Sequence, residues 1–221
     1  RAYKGKHQAR TEYRSVLEAD RLSNDTIDNT LLIYPENPTR KDNSERVLYV
    51  DLGTTNTNRT KTVISGFTIA GGNATSKNQT DSCSCGGGIY ITDSKKTGNA
   101  FEVSHCFFIN NYAERGGAIY VDGNVTGADA KDQTGTDNEI KYCELFDNIG
   151  GTRGSSLNAG GGMWVEGAAK IFNNVIYNNV NGAMRVSDKA VVVNNTVTSN
   201  TSAAIDMVDP QKQSAKAQIY N

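Results

Sequence analysis

GGAIYV, residues 116–121, decides the fold of this chain, because variants of it recur along the sequence. The other copies are GGGIYI (86–91), GGGMWV (160–165), NGAMRV (181–186) and SAAIDM (202–207). The fourth and sixth residues of every copy are apolar, while the fifth varies. This period of two is typical of a β-strand. We therefore expect each copy to form one short strand at the same place in a repeating unit.

A second pattern recurs upstream of the hexapeptides. Its copies are ISGFTIAGG (64–72), VSHCFFINN (103–111), IKYCELFDN (140–148), IFNNVIYNN (171–179) and VVNNTVTSN (192–200). Residues 1, 4 and 6 are mostly apolar or small, and the last is Asn or Gly, which predicts a strand and then a turn. Its fourth residue falls at positions 67, 106, 143, 174 and 195, so successive copies are 39, 37, 31 and 21 residues apart.

These unequal repeats predict a solenoid whose insertions fall between the motifs. The shortest unit has room for about three strands of about 5 residues. A leucine-rich horseshoe needs a Leu-rich consensus, and a propeller needs blades of nearly equal length, so neither fits. A parallel β-helix does fit, because like residues then stack on like about 4.8 Å apart. The asparagines expected to form a stacked ladder are Asn111, Asn148, Asn179 and Asn200.

The segments VISGFTIAGGNA (63–74), GGGIYI, GGAIYV and CFFINN (106–111) resemble the right-handed parallel β-helix proteins of the pectin-lyase-like superfamily. They are most similar to secreted bacterial surface proteins with repeats like those of polymorphic outer-membrane proteins. SVLEADRLSND (15–25) and DNSERVLYV (42–50) fit the same pattern. The superfamily contains lyases, hydrolases, adhesins and passenger domains, so the resemblance implies the fold without specifying the activity.

The expected architecture is one all-β, right-handed parallel β-helix domain over residues 1–221, with irregular coils in 1–62 and regular coils in 63–221. The last residues, AQIYN (217–221), begin another copy of AKIFNN (169–174). We therefore expect the sequence to be a fragment of a longer chain with further domains attached. The resemblance implies that this chain is secreted or displayed on a bacterial cell surface.

The fifth column of the hexapeptide is the strongest candidate for a binding site. It contains Tyr90, Tyr120, Trp164, Arg185 and Asp206, whose apolar neighbours have the opposite parity and should point inward. The column should therefore face solvent. Exposed aromatic rings beside polar groups suit sugar rings. The alternative is that the row packs beneath a long loop or simply suits a β surface.

A row of carboxylates follows the same strands. Its members are Asp93, Asp122, Glu166, Asp188 and Asp209. Stacked carboxylates could bind Ca²⁺ or supply the acid and base of a glycosidase. Their spacing is irregular and no calcium-binding repeat motif is present, so solvated turns are the favoured interpretation, with no metal or other cofactor required.

No local motif identifies a catalytic residue. Lyases of the superfamily use a basic residue and calcium-binding carboxylates, and its hydrolases use clustered Asp residues. Here Arg185 is the one base in the aromatic column, while Arg115 and Arg153 are expected on loops. His7 and His105 have neither zinc-ligand spacing nor a place in a Ser-His-Asp arrangement.

The cysteines offer one well-placed pair. Cys106 and Cys143 occupy the same column of successive coils, which would bring them within range of a disulfide or leave them as stacked buried thiols. Cys83 and Cys85 lie on one loop and could pair or bind a ligand. The even count favours an oxidising compartment.

Composition limits the classes of binding partner. The chain carries 23 basic and 24 acidic residues in mixed order, which argues against nucleic acid as the partner. No apolar run is long enough to span a bilayer. The leading hypothesis is a non-catalytic module that binds a polysaccharide or cell-surface partner along the aromatic flank. The alternatives are a polysaccharide lyase or glycoside hydrolase, and the structural stalk of an adhesin.

Overall fold

The computed structural model describes residues 15–22, 25, 35–53, 61–75, 84–125, 137–151, 159–187, 190–208 and 218–220. Regular structure in these residues consists of β-strands and one 3₁₀ helix, η1 (Pro38–Arg40). The strands, numbered along the chain, are β1 (Val16–Glu18), β2 (Leu48–Asp51), β3 (Lys61–Ser65), β4 (Thr68–Ala70), β5 (Asn73–Ala74), β6 (Ile89–Thr92), β7 (Ala100–Ser104), β8 (Phe107–Ile109), β9 (Tyr112–Ala113), β10 (Ile119–Val121), β11 (Glu139–Lys141), β12 (Glu144–Phe146), β13 (Ile149–Gly150), β14 (Met163–Val165), β15 (Ala169–Phe172), β16 (Val175–Tyr177), β17 (Met184–Ser187), β18 (Ala190–Val193), β19 (Thr196–Thr198), β20 (Ile205–Val208) and β21 (Gln218–Tyr220).

The strands form four sheets in which every pair is parallel. Sheet A has the order β1-β4-β8-β12-β16-β19, sheet B the order β2-β6-β10-β14-β17-β20, sheet C the order β21-β18-β15-β11-β7-β3, and the short sheet D the order β13-β9-β5. From β3 onward the chain runs through sheets C, A and B in turn, and passes through sheet D between A and B in three of the coils. The predicted all-β parallel β-helix is therefore confirmed.

The hexapeptides occupy equivalent positions in sheet B, as the sequence predicts. Ile119 pairs with Ile89 on one side and with Met163 on the other, and Met184 and Ile205 continue the column. One copy thus forms the sheet B wall of each coil.

The core is built from columns of inward-pointing side chains. In sheet A one such column contains Ile69, Phe108, Leu145 and Ile176, all of which are fully buried. They belong to one hydrophobic cluster with the inward residues of sheets B and C. A single coil is too thin to bury these groups alone, so each one depends on the coils above and below.

The corners require a left-handed backbone. Between sheets C and A the residues with positive φ are Gly66, His105, Tyr142, Asn173 and Asn194, and at the end of sheet A they are Gly71, Asn110, Asp147, Asn178 and Ser199. Glycine and asparagine take this conformation at low cost, whereas a ring-bearing side chain takes it with strain. The rings of His105 and Tyr142 stack with their centroids 5.1 Å apart, a contact that offsets part of this cost.

The four ladder asparagines lie one above another at the corner where sheet A ends. The side-chain amide of Asn111 donates to Oδ1 of Asn148, that of Asn148 to Oδ1 of Asn179, and that of Asn179 to Oδ1 of Asn200, at 2.9–3.0 Å. The backbone N–H of each donor residue reaches the same oxygen at 2.9–3.1 Å. The column therefore satisfies buried backbone and side-chain groups together.

Two further asparagine sites were not among the expected ladder residues. Nδ2 of Asn174 donates to Oδ1 of Asn195 at 2.9 Å, and Asn174 Oδ1 accepts from the backbone N–H of Cys143. Asn138, which is fully buried, accepts from the N–H of Phe101 and donates to the carbonyl of Ala168. Polar side chains thus link adjacent coils at several corners.

The two glycines that open the hexapeptide have different roles. Gly116 has φ 63°, so the first glycine makes the turn. A Cβ on Gly117 would lie 2.5 Å from the carbonyl oxygens of both Gly161 and Ile149. The second glycine is needed because the backbones of neighbouring segments approach too closely for any side chain.

The N-terminal part joins the same solenoid. β1 pairs with β4 and β2 pairs with β6, so sheets A and B begin before residue 63. The segment between them packs against the coils through Arg40, whose guanidinium donates to the carbonyls of Gly72 and Asn110 at 2.8 Å. Desolvation lowers the pKa of Arg40 to about 10, although nearby Asp25 and Asp20 act in the opposite direction.

We predict that Gly117→Ala destabilises the protein by about 3 kcal/mol, because the new methyl group must displace two backbone carbonyls. For a chain of this size the midpoint of thermal unfolding should fall by about 6–12 °C. The matched control is Gly123→Ala, whose Cβ would make an ordinary contact 3.7 Å from Glu166 Cβ. Equal midpoints for the two variants would contradict the close approach at Gly117.

Candidate binding surface on sheet B

The outer face of sheet B carries a continuous column of aromatic and charged side chains. In strand order its residues are Tyr49, Tyr90, Tyr120, Trp164, Arg185 and Asp206, each in register with the next. Their strand neighbours, such as Ile89 and Ile91, belong to the central core. The period of two therefore places this column on the outside of the solenoid.

The tyrosines form a stack. The ring centroids of Tyr49 and Tyr90 are 5.4 Å apart with an interplanar angle of 11°, and those of Tyr90 and Tyr120 are 5.2 Å apart with an angle of 25°. Parallel strands in register impose this spacing, which is within the range of favourable ring contacts. The rings are held in place before any ligand arrives.

Arginines lie over two rings of the column, Trp164 and Tyr90. Arg185 lies 4.4 Å and Arg115 lies 5.1 Å from the ring centroid of Trp164, and Arg46 lies 5.0 Å from that of Tyr90. These are cation–π distances. Because Arg115 and Arg185 come from the coils on either side of Trp164, they tie three coils together.

Carboxylates accept hydrogen bonds from the hydroxyl groups of two of the tyrosines. Tyr90 donates its hydroxyl hydrogen to Asp122 at 2.8 Å, and Tyr120 donates to Glu166 at 2.9 Å. Burial and the neighbouring carboxylate raise the pKa of both phenols, so both remain hydrogen-bond donors at neutral pH. Glu166 also lies 3.8 Å from Arg115. The surface is a mixed network of rings, guanidiniums and carboxylates.

The expectation that the whole row faces solvent is wrong for Tyr90 and Tyr120, which are each only 5% exposed. They form a small hydrophobic cluster with Cys85, against which Trp164 packs. Neighbouring rings and Cys85 pack against both tyrosines, and Arg46 lies over Tyr90, which leaves little area for a ligand. Trp164 and Arg185 are half-buried, so a ligand can reach only part of each.

The most accessible ring on this face is Tyr49, which is 58% exposed. It lies in VLYV (47–50), in register with the Tyr90 strand, and was not among the expected site residues. The sequence signal for Tyr49 is the similarity of LYV (48–50) to IYI (89–91) and IYV (119–121). It was missed because VLYV lacks the glycines that mark the other copies.

The carboxylates at the strand ends have structural partners. Asp93 is fully buried, where it accepts from the N–H of Gly98 at 2.9 Å and from the Thr97 hydroxyl. It therefore caps a turn inside the protein, which corrects the expectation of a solvated turn there. Asp188 and Asp209 lie outside the described residues. Within those residues, no three or more His, Cys, Asp and Glu side chains group as metal ligands.

Cys106 and Cys143 are buried thiols and not a disulfide. The Cys106 thiol donates to the carbonyl of Ser104 at 3.2 Å, and the Cys143 thiol donates to that of Lys141 at 3.3 Å. This pair gives no support to the expected oxidising compartment.

The remaining basic and cysteine candidates do not join the site. His105 lies at the corner between sheets C and A, away from the aromatic column. His7, Arg153 and Cys83 lie outside the described residues. Cys85 is buried, and desolvation raises its pKa to about 11, so it is a protonated packing group at neutral pH.

Sheet C presents a second charged surface. Lys61 and Lys141 each lie 2.8–3.3 Å from both Glu102 and Glu139. Hydrogen bonding from Lys141 is the main reason that the pKa of Glu102 is lowered to about 2. The opposite charges in this network balance one another, which distinguishes this face from the aromatic face of sheet B.

No protein-family model, curated protein or solved structure matched the chain in the three comparisons made. The described residues form no helix with the length and apolar character needed to cross a membrane.

We predict that Cys106 and Cys143 resist alkylation in the native protein at pH 8. Burial raises the pKa of the Cys143 thiol, which also hydrogen-bonds with Cys106, so the reactive thiolate is scarce. After unfolding without reductant, both should take up iodoacetamide, as measured by peptide mass spectrometry in a Cys83→Ser background. A Cys106–Cys143 cross-linked peptide in the non-reduced digest would contradict this assignment.

Proposed function

We propose that this protein is a non-catalytic recognition module of a secreted or bacterial cell-surface protein, and that it binds a carbohydrate chain across sheet B. Tyr49, 58% exposed at one end of a rigid ring stack, is the observation that carries the proposal. A fixed, accessible ring can pack against the C–H face of a sugar without losing conformational entropy on binding.

Polar groups beside the rings supply the second element of sugar recognition. The side chains of Arg115 and Glu166 are 53% and 38% exposed. They offer hydrogen-bond donors and acceptors to sugar hydroxyls next to the accessible part of Trp164. A sugar chain that runs across the strands would therefore meet Tyr49 first and the Trp164 region three coils further along.

The proposed site runs along the solenoid axis, because the rings of successive coils stack in that direction. Three strand spacings of about 4.8 Å separate Tyr49 from Trp164, so the two contacts lie about 14 Å apart along the solenoid. A short oligosaccharide is long enough to touch both. Tyr90 and Tyr120 act as the support of the site and do not contact the ligand.

A glycan array should first identify an oligosaccharide that the chain binds. The proposal predicts that Tyr49→Ala and Trp164→Ala each weaken binding of that oligosaccharide by at least about fivefold, equivalent to about 1 kcal/mol of lost ring contact. Binding constants should be measured by calorimetry on the 221-residue chain. Tyr142→Ala is the matched control, because Tyr142 is 49% exposed and lies on a different face.

The same samples should be assayed for reducing-end and unsaturated products. Equal weakening by Tyr142→Ala would contradict the sheet B site. Product formation would favour the lyase or hydrolase alternative instead. A folded chain that binds no glycan would point to a structural stalk or to a protein partner.

A further inference from the structure

Buried oxygen atoms with incomplete hydrogen bonding lie on linked residues between β1 and β2. Asp20 follows β1 by two residues and is only 8% exposed. Its Oδ2 accepts from the N–H of Asp25 at 3.0 Å, and Asp25 Oδ2 accepts from Nδ2 of Asn43 at 2.7 Å. Two residues that follow β1 are therefore linked to one that precedes β2, beside Gly71.

Each of these side chains also has one oxygen that is buried and accepts no hydrogen bond. These atoms are Oδ1 of Asp20, Asp25 and Asn43. The amide of Asn43 cannot be turned round to relieve this, because its Nδ2 already donates to Asp25 and to the carbonyl of Gly71 at 2.8 Å. Both partners are acceptors only. Three unsatisfied buried oxygens on linked residues are unusual, since buried polar atoms normally find partners.

Two carboxylates and one guanidinium interact electrostatically in this region. Arg40 is the cation whose charge interacts with both Asp25 and Asp20, and its Nη2 is used by the carbonyls of Gly72 and Asn110. One guanidinium balances only one of the two carboxylates. Burial of an uncompensated charge is costly, so a further cation would stabilise the folded state.

We propose that Oδ1 of Asp20, Asp25 and Asn43 bind a calcium ion. Oxygen-only donors of mixed carboxylate and amide type suit Ca²⁺, which accepts six to eight ligands in flexible geometry and can complete its shell with water or carbonyls. Zinc prefers nitrogen and sulfur, and Mg²⁺ requires near-ideal octahedral geometry. This site is separate from the strand-end carboxylates of sheet B.

Calcium at this position would link the chain that follows β1 to the chain that precedes β2. Asp20 follows the first strand of sheet A, and Asn43 precedes the first strand of sheet B. A shared ion would therefore tie the residues that follow β1 to a residue that precedes β2. Such a tie would protect both segments from local unfolding.

The test is the unfolding midpoint of the whole 221-residue chain in EDTA and in 10 mM CaCl₂, with calorimetric titration of Ca²⁺. We expect a dissociation constant below about 1 mM and a midpoint rise of about 3 °C or more for the wild type. Asp20→Asn should abolish the rise. In EDTA its midpoint should equal or exceed that of the wild type, because it removes the excess charge.

Glu45→Gln, a loss of one negative charge at an exposed position, is the matched control and should keep the calcium response. The proposal is overturned if Ca²⁺ does not raise the wild-type midpoint, or if the rise persists in Asp20→Asn. An equal rise with 10 mM MgCl₂ would also overturn it, because the site would then not distinguish calcium by its flexible oxygen coordination.

Discussion

Hydrogen bonds between the ladder asparagines of successive coils connect each coil to the next. A coil of this solenoid turns sharply, and each turn brings backbone N–H groups into the interior, where water cannot reach them. Asn111, Asn148 and Asn179 direct both the backbone N–H and the side-chain amide to one oxygen in the following coil. The bond works only if the coils are in register, so it also sets the register.

Register then determines the outer surface. Because equivalent residues stack, a side chain that recurs in the repeat becomes a column, and Tyr49, Tyr90 and Tyr120 become a stack of rings. The same geometry brings Arg115 and Arg185 from neighbouring coils onto Trp164. The proposed binding surface is therefore a consequence of the fold, although the residues that form it are not required by the fold.

Much of the architecture follows from the sequence. Alternation of apolar residues places the strands, and recurrence of the motifs places them in register, so the column with Tyr90, Tyr120, Trp164 and Arg185 lies on the outer face of sheet B. Exposure does not follow, because parity shows which face a side chain takes but not what covers that face. Tyr90 and Tyr120 are covered by groups that lie outside their own motif, such as Cys85 and, over Tyr90, Arg46.

Contacts between distant segments are the other part that sequence patterns do not reveal. Asp20 and Asp25 lie in the segment 15–25 and Asn43 lies in 42–50, and only the folded chain brings the three together. The cysteine pair shows a related limit. Its shared column is visible in the sequence, but only the folded structure shows that Cys106 and Cys143 are thiols that donate to backbone carbonyls.

The most direct measurement is the free energy of unfolding of Asn148→Ala compared with Asn124→Ala. Asn148 is fully buried and exchanges hydrogen bonds with Asn111 and Asn179, whereas Asn124 is half-buried and lies in the turn after β10. If the asparagine column holds the coils together, Asn148→Ala loses about 3 kcal/mol or more and Asn124→Ala loses less than about 0.5 kcal/mol. Similar losses for the two variants would contradict the central place given to the column.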